Sequence, residues 1–180
     1  MSSDLRAEKG WVVFDYEASM FQDLLSLLQP SNKYYQALLE SLPLLNAVVE
    51  SALLHLRQLV DILLSRDKRE EDAIRLKDLL PNFQDSRLEE LREKYGRRDN
   101  KGSPCWTLNK MLAHPTYERS DRYDYSSLLQ EMAPLVKDLI AAVRPGILAH
   151  SRLNTAVANS PIQSVTTTSS SSGIITAGIW

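Results

Sequence analysis

Thr107, Lys110 and His114 stand at i, i+3 and i+7, a spacing that places three side chains on one face of an α-helix. An imidazole titrates near neutrality and can take the proton from a ribose 2′-hydroxyl. A cation beside it can hold the neighbouring phosphate. Together the two suffice for metal-independent RNA cleavage, in which the 2′-oxygen attacks the adjacent phosphorus. Asn109 lies between them in sequence as an orienting amide, and Arg119 follows in the next loop as a second phosphate contact. A plainer reading fits the same residues: a histidine whose positive form suits a helix C-terminus. Spacing alone leaves both open.

The element that must position these groups is marked at both ends. In SPCWTLNKMLAHPTYER, Ser103 can cap the first turn, and Pro104 takes the first helical position, where its missing N–H costs nothing. Pro115 drives His114 away from helical dihedrals, so a helix is expected to stop there. Trp106 and Tyr117 can stack a base, although packing is the commoner use of an aromatic in such a place. Cys105 has no histidine at nucleophile spacing and reads as a small buried residue.

A second polar group lies on a longer helix. Glu50, Arg57 and Asp61 share a face beside its apolar stripe, and His55 borders the opposite edge. They read either as a patch that orients His114 and contacts substrate through Arg57, or as an ordinary i, i+4 ion pair with a solvated glutamate.

Charge supports the first helix as the place to look. Residues 1–86 hold 9 Lys/Arg and 14 Asp/Glu, a net −5; residues 87–122 hold 9 and 6, a net +3; residues 123–180 hold 3 of each. The basic excess surrounds the Ser103–Arg119 block and permits an anionic ligand. A single cysteine excludes an internal disulfide and a Cys-rich zinc site, and with three histidines it leaves no ligand set for a metal. No Gly-rich phosphate loop is present, so no cofactor is expected. No apolar run approaches the roughly 20 residues that span a bilayer, and MSSDLRAEKG lacks a signal-peptide pattern. The expectation is a cytoplasmic protein without a membrane partner.

Helical periodicity dominates the chain. Amphipathic segments are expected over 15–28 and 32–42, the latter broken by Pro43, and a strong one over 44–66. Shorter helices are expected over 73–80 and 86–95, the second closed by Gly96. A long one follows over 125–143, bent at Pro134 and ended by Pro145-Gly146. From 151 the composition shifts to a Ser/Thr-rich tail. The fold class is therefore all-α: an antiparallel helical bundle over 1–150, with two long helices as its main core and a disordered or loosely attached C-terminal tail over 151–180.

The order HLRQLVDIL, DAIRLKDLL, LNKMLAHPTYER and a final amphipathic helix resembles HEPN-like helical proteins. The likeness covers about 44–143 and is closest to a little-characterised branch carrying an N-K-x-x-A-H-x-T-x-x-R block. That block matches Asn109, Lys110, Ala113, His114, Thr116 and Arg119. The resemblance implies an antiparallel bundle that dimerises. In that superfamily an Arg-x(4–6)-His motif at the dimer cleft can carry endoribonuclease activity, often with an antitoxin as protein partner, while other members only bind nucleotides or proteins. His114 matches the motif histidine, but Thr107 and Asn109 stand where the arginine would be. Lysine does not reproduce a bidentate phosphate grip. The resulting expectation is an RNA- or nucleotide-binding homodimer around His114. A metal-independent ribonuclease is the stronger form, and a non-catalytic protein-interaction module is the alternative. Dimer contacts are expected along the stripe that ends in Ile140 and Val143.

Overall fold

The computed structural model describes residues 3–65, 73–112 and 125–158. Among them every regular element is helical: α1 (Ser3–Leu27), α2 (Tyr35–Leu39), α3 (Leu42–Leu63), α4 (Leu76–Leu79), α5 (Arg87–Tyr95), α6 (Pro104–Thr107), a π turn (Leu108–Leu112) and α7 (Tyr125–Ala158). No described helix is long and apolar enough to cross a membrane.

The core is built by three long helices rather than two. On α1, Trp11, Phe14, Ala18, Phe21 and Leu25 step by three and four residues, and all are buried. That seam carries the helix back to Ser3, well before the expected start near residue 15. Exposed Val12, Val13 and Tyr16 interleave with the seam and obscure it in the sequence. On α3, Val49, Ala52, Leu53, Leu56, Leu59, Val60 and Leu63 face inward, as their spacing predicts. On α7, Leu128, Leu129, Met132, Leu135, Val136, Leu139, Ile140 and Val143 do the same.

The C-terminal end of α1 meets the N-terminal parts of α3 and α7 around one cleft. So α1 runs antiparallel to both, while α3 and α7 point the same way. The chain returns between them through α4, α5 and α6.

Two prolines behave differently from expectation. Pro43 lies in the first turn of α3 and starts that helix rather than breaking a preceding one. Pro145 sits inside α7, which continues to Ala158. The ring removes one intrahelical hydrogen bond, and the exposed position lets water take the freed carbonyl. Gly146, expected to end the helix, serves packing instead: a Cβ there would stand 2.7 Å from Leu80 Cδ2. The boundary expected at 150/151 therefore falls inside α7, and residues 159–180 lie outside the described part.

Polar contacts fix the helices in register. Arg144 on α7 reaches Asp15 at 3.4 Å, Gln22 Oε1 at 3.0 Å and Ser19 Oγ at 3.2 Å, all on α1. Arg87 donates to the Asp138 carbonyl at 3.3 Å and so ties α5 to α7. Its guanidinium also donates to both oxygens of Asp85, and those hydrogen bonds hold the Asp85 carboxyl below the usual carboxylate range.

Candidate functional site: the capped π turn

The site begins where α5 ends. Gly96 has φ +70°, in the left-handed region that closes helices at low cost for glycine. A Cβ at Gly96 would lie 2.8 Å from Ser103 Cβ, so its bareness also lets the start of α6 press against the end of α5. The loop between them is folded on itself. Asn100 N–H donates to the Arg97 carbonyl at 3.2 Å, and Ser103 N–H donates to the Asn100 carbonyl at 3.0 Å.

Ser103 is the pivot. Its hydroxyl donates to the Arg97 carbonyl at 2.8 Å and accepts from the Trp106 amide at 3.1 Å, the N-cap expected from the sequence. Pro104 follows at the first helical position. Cys105, Thr107 and Leu108 are buried and anchor the element, which packs against α3 and α5. The Lys101 ammonium stands 5.8 Å from the Trp106 ring centroid, so Trp106 is engaged by a cation along one face.

After one α-turn the backbone widens into the π turn Leu108–Leu112. Asn109 ties this turn back to α6. Its amide Nδ2 donates to the Cys105 carbonyl at 2.7 Å, an oxygen that also accepts from the Leu108 backbone amide. From Leu108 the backbone follows the i→i+5 pattern.

This geometry revises the shared face. Thr107, expected to bind substrate, is fully enclosed, whereas Lys110 is exposed. The α-helical spacing that would align them does not apply once the backbone changes pitch at Leu108. Thr107 Oγ1 makes no hydrogen bond among the described residues, so its hydroxyl is a buried polar group without compensation. Asn109 is half-buried, its nitrogen engaged by Cys105. His114, Thr116, Tyr117 and Arg119 lie outside the described residues.

On α3, the helix against which the turn packs, Arg57 lies 3.9 Å from Asp61 at i+4, the ordinary ion pair. Its Nε is enclosed and makes no hydrogen bond among the described residues. His55 does not join this group. Its Nδ1 lies 2.6 Å from Glu17 Oε2 on α1, with the Tyr16 ring edge-on at 6.0 Å. The 38-residue separation of Glu17 and His55 gave no sequence signal for the pair. Among the described residues no group of three or more His, Cys, Asp or Glu side chains is placed to hold a metal ion.

Arg97, Arg98, Lys101 and Lys110, before and within the turn, are exposed, and Arg97 pairs with Asp99 at 3.2 Å. The basic excess of residues 87–122 is thus partly gathered on one loop-and-turn unit. Comparison with protein-family models, with curated proteins and with solved structures gives no match to this chain.

Proposed function

We propose that the chain is a HEPN-like helical domain that binds RNA or a nucleotide around the capped π turn and His114. The reading is supported by one observation above others. A turn anchored by buried Leu108 presents Lys110 to solvent, following a loop of exposed cations in sequence and a few residues before the motif histidine. Lys110 and Arg119 serve as phosphate contacts, and His114 is the general base where cleavage occurs. Asn109 acts through the backbone, setting the turn from which Lys110 projects, and Thr107 anchors that turn rather than touching the ligand. Arg57 supports the turn from α3. A homodimer with an antitoxin-like protein partner belongs to the same proposal, but its contacts are not those expected from the sequence. Ile140 and Val143 have no exposed surface and are used inside one chain.

Two measurements test the reading. Purified protein is expected to bind RNA with an affinity that falls with salt, and Lys110→Ala is expected to lower the salt slope by about 1. Cleavage present in the native chain and lost in His114→Ala would assign the ribonuclease. Salt-independent binding that is indifferent to both substitutions would favour the interaction-module alternative.

A further inference from the structure

A cleft of about 680 Å³ opens between the C-terminal end of α1, α2, the start of α3 and the first half of α7. Its volume falls within the range of small-molecule sites, roughly 300–1,000 Å³. The walls are mainly aliphatic, with Leu25, Leu28, Val49 and Leu129, and they also carry Gln29, Tyr35, Ser126 and Gln130. Leu39 completes them and is still 49% exposed, and Leu42 and Leu44 continue the apolar surface on the same stretch of chain.

The polar groups are unevenly arranged. Lys137 and Asp138 sit together on the α7 side. Arg87 donates to the Asp138 backbone carbonyl, and its charge is favoured first by Asp85 and also by the Asp138 carboxylate. Lys137 has no ion pair among the described residues. The lining therefore offers one uncommitted cation beside a long apolar surface. A nucleotide would meet a single positive charge, an adjacent carboxylate and aliphatic walls. A monoanion with an aliphatic body matches the single cation and the apolar walls, and it brings the least negative charge toward Asp138.

We propose that this cleft binds a single-chain amphiphile with an aliphatic body of medium length and one anionic headgroup, the headgroup held by Lys137. The site shares no residue with the π turn, and it stands whether or not the chain binds RNA.

Calorimetric titration of the full chain with octanoate, decanoate and dodecanoate, below their micellar concentrations and beside the matched alcohols, tests it. Affinity is expected to rise about fourfold per methylene if each is buried on binding. Lys137→Gln, a change at an exposed position, is expected to weaken the carboxylates about threefold to fivefold and leave the alcohols unchanged. Leu39→Trp, which fills the cleft from a half-exposed wall, is expected to weaken both series at least tenfold with the helical circular dichroism retained.

Absence of dodecanoate binding up to its solubility limit overturns the proposal. So does binding that ignores chain length, or that survives Leu39→Trp. A second copy as occupant has its own signature and would also overturn it: a dimer in sedimentation that Leu39→Trp dissociates, with no dodecanoate binding by the native chain.

Discussion

Asn109 and Thr107 stand two positions apart in sequence and play opposite parts in energetic terms. The Asn109 amide satisfies the Cys105 carbonyl within a half-buried turn. Asn109→Ala is expected to cost about 0.5–1.5 kcal/mol in chemical denaturation. Thr107 carries a hydroxyl with no hydrogen-bond partner among the described residues, in a fully enclosed site. Thr107→Val keeps the shape and removes the uncompensated group, so it is expected to be neutral or stabilising by about 1 kcal/mol. A loss of stability above that size would mean that the hydroxyl is satisfied in the native protein. The two variants also separate the roles proposed for the turn. Asn109→Ala should disturb RNA binding by moving Lys110, whereas Thr107→Val should leave it intact.

Elements are joined by contacts that no single helix predicts. The Glu17–His55 pair links α1 to α3 with side chains only 15% and 16% exposed. A double-mutant cycle with Glu17→Gln and His55→Ala is expected to give a coupling near 1 kcal/mol, measured at a pH where native folding is complete. Asp85 and Arg87 organise the entry to α5, and Arg87 reaches on to α7. Because the folded Asp85 carboxyl lies below its ordinary value, its stabilising contribution is present above the usual carboxylate range. It is lost as pH falls through the folded value. Asp85→Asn is therefore expected to flatten the acid limb of stability against pH, and an unchanged limb would remove Asp85 from the acid response. The expected helix over 125–143 stops too early for a related reason. A Pro-Gly pair reads locally as a terminator, yet Gly146 is the surface that receives Leu80.

At the scale of the whole molecule, one core joins α1, α3 and α7. Leu139 has no exposed surface, and Leu139→Ala is expected to destabilise the chain by about 2–5 kcal/mol. Val143 tests a different idea, because its stripe was expected to join two subunits. Val143 is fully buried within one chain, so Val143→Ala is expected to lower the melting temperature without changing the sedimentation coefficient. A shift in oligomeric state would restore that stripe as a subunit contact.

Local chemistry in the sequence determined much of this protein. Apolar steps of three and four residues set the inward faces of α3 and α7, and Ser103-Pro104 and Gly96 marked a helix start and a helix end. Those signals act within a turn or two of backbone, and sequence order carries them directly. The pitch change after Thr107, the burial of its hydroxyl and the meeting of Glu17 with His55 were decided by tertiary packing. So was the cleft between α1, α2, α3 and α7. Each depends on which surfaces distant segments present to one another.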